Sequence, residues 1–318
     1  MENTECSCKS INPHSWVYAL YIPLTGYCIL PFQLVTLHKF ISMKKYFLFL
    51  AATFVLGNAV KGQISRPLKK VIEFKMPKTI DDDMPGTRGA SVAWHPVQKK
   101  YYAVMAGNIA YPLAVYDVKG KQLSLDTLTA MEDSRGLWYD PVKKQICGNA
   151  YSSYGWFSYT LDKSGIPIKI AIDFEGMNQP GEQSVGGYNV AKKAVMFIFG
   201  SEVWWYNAAD ASVNADDKLT IHWGTTAKQG IKEDEDETAE PEGYNLTTII
   251  YTGKPGAEIG FLNIDKKQVE LYNSKTGFLS QVLMLPSGTP AEASFNFAFA
   301  NDTYWFFDME KRIWTGCK

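Results

Sequence analysis

The chain has 318 residues and a formal net charge of −1, with 46% hydrophobic and 14% aromatic residues. That is enough apolar material for one large core or two ordinary ones. Charge this near neutral, with no long run of Lys and Arg, gives no basic face for tracking phosphates, so no nucleic-acid partner is expected.

Residues 43–62 read MKKYFLFLAATFVLGNAVKG. Lys44 and Lys45 make a basic start, Tyr46 to Leu56 an apolar stretch, and Val60 and Gly62 fall where a signal peptidase reads small residues. That order is the layout of a secretory signal peptide from Met43 to Gly62. It predicts a mature chain beginning at Gln63, secreted or periplasmic. The apolar stretch is short for a bilayer span, and no Cys follows it to carry a lipid. A signal peptide works from the end of a chain, so residues 1–42 read as an upstream extension from a misassigned start. The rival reading is a membrane segment over Trp16 to Leu37, which Pro23, Gly26 and Pro31 interrupt. No membrane span is expected in the mature chain. Its two cysteines, Cys147 and Cys317, fall on non-adjacent repeats and are expected to be free and buried.

From Gln63 onward the chain repeats. An aromatic followed by a small polar residue recurs as Tyr116-Asp117, Tyr159-Thr160, Tyr206-Asn207, Tyr272-Asn273 and Trp314-Thr315. A turn in phase with it reads WHPVQKK at 94–100, YDPVKK at 139–144 and YNVAKK at 188–193. Pro and Lys suit such solvated bends. Between these marks lie short runs rich in Val, Ile, Tyr, Phe and Trp, which read as strands. The first repeat holds 89–94, 101–106, 112–118 and 122–128. The second holds 136–139, 145–150, 156–161 and 167–173. The third holds 185–189, 194–199, 203–207 and 218–223, and the fourth 245–251, 258–264, 269–273 and 278–284. The fifth holds only 294–299, 303–308 and 312–316.

The strand missing from the fifth repeat lies at the other end of the chain. LKKVIEFKMP at 68–77 has the character of a fourth strand, as in FLSQVLMLP at 278–286. Paired beside 312–316 it closes a ring and removes the open edge of the last sheet. The fold predicted is therefore all-β: a five-bladed β-propeller over 63–318, four strands per blade. Its last blade is closed by an N-terminal strand, and an acidic loop is inserted at 226–242. NIDKKQVELYNSKTGFLSQVLMLPSG at 263–288 and WHPVQKKYYAV at 94–104 resemble β-propeller repeats of the YVTN and NHL type. The resemblance implies architecture and not activity, because propellers serve as enzymes, lectins and scaffolds alike.

Catalytic signatures are missing: no G-x-S-x-G, H-E-x-x-H, P-loop, dinucleotide fingerprint or EF-hand loop occurs. The mature histidines are His95, in a turn after the first strand of blade one, and His222, in the outermost strand of blade three. They lie far apart and read as structural. EDEDETAEPE at 233–242 carries contiguous carboxylates that repel one another, which suits a solvated loop better than converging calcium ligands. No metal and no cofactor are expected.

The links between blades carry the candidate site. DDDMPGTRG, MEDSRG, NQPGEQSVGG, AEPEG and TPAEA bring Arg88, Arg135, Gln183, Glu242 and Glu292 to the channel rim just before each inner strand. Loops between second and third strands add Asn108, Tyr111, Tyr151 and Tyr154 on the same face. Arg88 and Arg135 each precede a Gly, so adjacent blades set two guanidinium groups side by side. Asp81 to Asp83 and Glu132 are the internal carboxylates available to them. Arg suits bidentate carboxylate recognition, and Tyr with Asn suits sugars. The ligand-binding set is Arg88, Arg135, Tyr111, Tyr151, Tyr154, Glu242 and Glu292. The function read from it is a monomeric secreted binding module for a small molecule, glycan or protein ligand. Two alternatives remain: a glycan-active hydrolase or lyase on the same face, although Glu132 and Asp133 are loop neighbours ill placed to flank one bond, and a structural component of an envelope assembly.

Overall fold

The computed structural model describes residues 64–230 and 241–318. The upstream extension expected over 1–42, the signal peptide expected over 43–62 and the acidic run over 233–240 lie outside the described residues.

The described chain is almost wholly strand and turn. β1 (Ile64–Pro67) and β2 (Lys70–Lys75) come first. Blade one follows with β3 (Gly89–His95), β4 (Lys100–Met105) and β5 (Leu113–Tyr116). Blade two is β6 (Ser134–Asp140), β7 (Gln145–Ala150), β8 (Trp156–Leu161) and β9 (Pro167–Phe174). Blade three is β10 (Gly187–Asn189), β11 (Ala194–Phe199), β12 (Glu202–Asn207) and β13 (Val213–Thr220). After β14 (His222–Thr226), blade four is β15 (Ile250–Tyr251), β16 (Ile259–Asn263), β17 (Gln268–Tyr272) and β18 (Phe278–Met284). Blade five is β19 (Phe297–Ala300), β20 (Thr303–Asp308) and β21 (Ile313–Cys317), with β2 as its outer strand. Among the described residues the one helical element is a 3₁₀ turn at Ser152–Tyr154, and no helix is long and apolar enough to cross a membrane.

The five-bladed propeller is therefore present, and its ring closes as the sequence predicts. β2 pairs antiparallel with β21, setting Phe74 opposite Trp314 and Lys75 opposite Ile313. In blade one the fourth run, 122–128, is not a regular strand. It still satisfies the β5 edge, because Leu123 N–H donates to the Val115 carbonyl and Leu113 N–H to the Leu128 carbonyl.

Two readings need correction. His222 does not belong to blade three: its backbone N–H donates to the Gly277 carbonyl, its ring stacks on Phe278 at 4.3 Å, and β14 runs parallel to β18 on the outside of blade four. The physical reason is local. Ile221 is buried in the core between blades three and four, and Trp223 packs on Tyr244 and Phe261 of blade four. The first run of the fourth repeat, 245–251, is strand only at Ile250–Tyr251, since residues 243–249 are spent crossing toward the axis. β1 is an addition: it lies parallel to β18, with Ser65 opposite Val282, so the N-terminal segment stitches blade four to blade five.

Each core fills the space between two neighbouring blades, as stacked sheets require. Phe74, Trp305 and Trp314 of blade five meet Val92, Tyr101 and Ala103 of blade one. The other four interfaces are filled in the same way by alternate strand residues. Arg88-Gly89 and Arg135-Gly136 have a packing reason in this arrangement. A Cβ on Gly89 would lie 2.5 Å from the Trp314 ring, and one on Gly136 would lie 2.7 Å from the Gly186 backbone nitrogen. Glycine lets adjacent blades approach where their inner strands begin.

Candidate functional site at the link end of the channel

Phe295 organises the link face. Its N–H donates to Thr247 Oγ1 at 2.8 Å, and its carbonyl accepts from Asn245 Nδ2 at 2.7 Å, both on the link into blade four. The next residue, Asn296, exchanges hydrogen bonds with Gly89 of blade one at 2.9 and 2.8 Å. The Phe295 ring carries the guanidinium of Arg88 at 5.8 Å and that of Arg135, from blade two, at 5.4 Å. A residue that touches blades four, one and two must lie over the axis, so Phe295 plugs this end of the channel. Phe295 and Asn296 hold positive φ values of 52° and 57°, a conformation that costs about 1–3 kcal/mol per residue and persists only where its surroundings enforce it.

The two arginines converge as expected but differ in state. Arg135 is 4% exposed. Its guanidinium makes two bonds to the Asp133 carboxylate at 2.5 and 3.2 Å, and its Nε donates to Gln183 Oε1 at 2.8 Å. Its face also lies 4.8 Å from the Tyr151 ring. Asp133 in turn accepts from the Gly107 N–H at 2.8 Å. Arg88 is exposed and, among the described residues, makes no ion pair. Of the carboxylates read as possible partners, Asp82 is committed elsewhere: it forms a buried pair with Arg312 at 2.9 Å. Glu132 turns back to accept the Asp133 N–H. The partner of Arg135 is Asp133, which the sequence reading weighed only for acid–base work.

Tyr151 extends the cluster. Its hydroxyl donates to Glu182 Oε2 at 3.0 Å, and Ser152 Oγ donates to the other oxygen at 3.3 Å. The hydrogen bond to Glu182 raises the Tyr151 pKa. The Tyr111 ring closes over Gly107, whose N–H is held by Asp133, and packs on the core between blades five and one. Glu292 belongs near Phe295, because Asn245 Nδ2 bonds both the Glu292 and Phe295 carbonyls. Tyr154 is exposed on the 3₁₀ turn, and its N–H donates to the Tyr151 carbonyl. Glu242 is not brought in with them. The Gly243 carbonyl accepts from Ile264 N–H, which sets Glu242 beside the turn between β16 and β17, before the long crossing to β15. Phe295 and Glu182 are the members the sequence did not flag. The first was absorbed into the strand run 294–299, and the second sat unremarked beside Gln183.

His95 is a buried core residue, with Nδ1 accepting from Gln98 N–H at 3.3 Å and its ring 4.6 Å from Tyr139. Cys147 and Cys317 are free and buried. Among the described residues no group of three or more His, Cys, Asp or Glu is placed to hold a metal ion.

No family model and no curated protein sequence matches the chain. Solved structures do. The glutaminyl cyclase of Myxococcus xanthus superposes with a TM-score of 0.47 at 8% identity, over 81% of this chain and 98% of that one. An auxiliary nutrient binding protein from Bacteroides thetaiotaomicron superposes with a TM-score of 0.41 at 9% identity, over 79% and 77%. At this level of likeness the chemistry of those proteins does not transfer, and the site rests on its own residues.

Proposed function

We propose that this chain is an exported binding module of the YVTN/NHL-like propeller type, and that its link face holds an acidic glycan. The observation that carries the reading is the sharing of one aromatic ring, that of Phe295, by Arg88 and Arg135. Among the described residues only Arg135 has a carboxylate partner, Asp133. Arg88 is left as an exposed cation beside the Phe295 ring. Arg recognises carboxylates through paired N–H donors, and a few converging polar groups on a concave face are the usual form of a ligand site. Tyr151 and Tyr154 supply ring faces, while Glu182 and Glu292 supply acceptors for hydroxyl groups. Export rests on the signal layout of residues 43–62, and a single closed ring suits a monomer.

Binding, and not hydrolysis, is the reading because two of the acidic groups here, Asp133 and Glu182, are already engaged. Asp133 holds Arg135 and Gly107, and Glu182 holds Tyr151 and Ser152. The experiment is a glycan array of acidic and neutral oligosaccharides, read with the parent and with Arg88→Ala. Acidic hits that vanish in the variant support the reading. Hits that are unchanged by the substitution, or no hits at all, reject it.

A further inference from the structure

The opposite end of the channel carries a feature that the link-face reading does not use. Each inner strand places an aromatic residue at or one pair short of the turn that leads to its second strand. These are Trp94 opposite Tyr101, Tyr139 opposite Ile146, Tyr188 opposite Val195, Tyr251 opposite Ile259 and Phe299 opposite Tyr304. All five are half-buried, and each caps a different inter-blade core. All five line one cavity of about 220 Å³ that draws its walls from every inner strand. The link end of this channel is drawn together by backbone bonds, Val185 N–H to the Thr247 carbonyl and Asn296 N–H to that of Gly89, and is plugged by Phe295. Access is therefore from the turn face, through the aromatic collar.

We infer that this collar is a second binding site, for a single neutral polyhydroxylated ring, a monosaccharide unit. Size sets the first limit, since a cavity of about 150 Å³ already takes one benzene ring. Charge sets the second. No charged side chain lines the cavity. Lys254 lies 5.6 Å from the Phe299 ring at the cavity's edge, and it opposes an organic cation. The negative faces of five rings oppose an anion. Polar capacity sets the third. The innermost strands pair on one side only, which leaves backbone N–H and C=O groups along the wall. Ser91, Thr248 and Asn301 add side-chain groups to it. A sugar ring matches all three limits: its C–H faces lie on the aromatic rings, and its hydroxyls meet the strand edges.

The test is calorimetric titration of the full chain with glucose, galactose and mannose, a neutral trisaccharide of each, and glucuronate. The variants are Tyr251→Ala, Phe299→Ala and Arg88→Ala, with thermal unfolding to show that each remains folded. A neutral hexose or trisaccharide should bind the parent and Arg88→Ala alike. It should bind about tenfold more weakly to Tyr251→Ala and to Phe299→Ala, the loss expected of one stacking ring. Binding of the free hexose assigns the collar to monosaccharides, and binding of the trisaccharide alone assigns it to the end of a glycan. The inference is overturned if no neutral sugar binds, if both collar variants bind like the parent, if glucuronate is preferred, or if Arg88→Ala abolishes binding. That last result would return the sugar to the link face, so the two sites fail separately.

Discussion

Phe74, near the start of the described chain, stacks on Tyr116 of blade one with ring centroids 4.4 Å apart and planes 4° from parallel. Trp305 of blade five lies on it at 4.3 Å, and Tyr101 of blade one at 5.1 Å. The closing strand thus does more than supply ladder hydrogen bonds to β21. Its one fully buried aromatic is clamped between the first and last blades. Phe74→Ala should cost about 3–5 kcal/mol of unfolding free energy, the usual price of removing a buried Phe. Removing residues 64–77 should abolish the single cooperative transition, because β21 loses its outer partner and β18 loses the part of its outer edge covered by β1. Denaturant unfolding followed by fluorescence measures both, and a truncated chain that melts like the parent would place the closure elsewhere.

Asp82 and Arg312 tie the same seam on the link face. Their side chains are 1% and 2% exposed, and Arg312 also donates to the carbonyls of Pro77 and Met84. Breaking a buried pair leaves one uncompensated charge. Asp82→Ala should therefore destabilise the fold by about 3–5 kcal/mol, with little dependence on salt between low and high ionic strength. An effect below about 1 kcal/mol, the range of exposed pairs, would show that water reaches the guanidinium.

Burial lowers the pKa of His95 below its ordinary 6.5 in the folded chain. The unfolded chain therefore binds the proton more readily. Above pH 6.5 the imidazole is neutral in both states and has no pH-dependent effect. As the pH falls below 6.5 the unfolded state gains protons first, so stability declines until the folded-state pKa is passed. Unfolding free energies of the parent and His95→Gln between pH 8 and pH 5 should diverge, with the parent falling more steeply. Parallel profiles would mean that His95 titrates like an exposed imidazole.

Much of the ring was legible because its repeats are written in residues that do one job each. The lysine-bearing turns mark strand ends, and LKKVIEFKMP carries the pattern of an outer strand without a repeat of its own. β14 was not legible. The run 218–223 continues smoothly through Ile221, and only the packing of Trp223 on Tyr244 and Phe261 shows that the chain has changed blades. Phe295 was hidden for the opposite reason. In sequence it is one more aromatic before a strand, and its role depends on a left-handed backbone that brings it over the axis. The collar was in plain sight, since Trp94, Tyr139 and Tyr188 open the turn marks WHP, YDP and YNV. A period alone does not say that those first letters converge on one cavity.

The two thiols make a simple check on the packing of blades two and five. Burial raises the pKa of Cys147 well above that of a free thiol and pushes that of Cys317 up to about 11. Neither should react with a thiol reagent in the native state, and both should react on unfolding. Rapid labelling of either one in the folded chain would contradict the placement of β7 or β21.

The central claim is that Arg88 is the free cation of a ligand site at the plugged end of the channel, while Arg135 is held by Asp133. The most direct measurement is calorimetric titration of a trigalacturonate into the parent, Arg88→Ala and Arg135→Ala, with the unfolding free energy of each. The account predicts that Arg88→Ala leaves stability unchanged and weakens binding at least about tenfold, equivalent to 1.4 kcal/mol. Arg135→Ala should instead destabilise the fold, because Asp133 loses its partner. Binding by Arg88→Ala within about twofold of the parent, less than roughly 0.5 kcal/mol, would contradict the account.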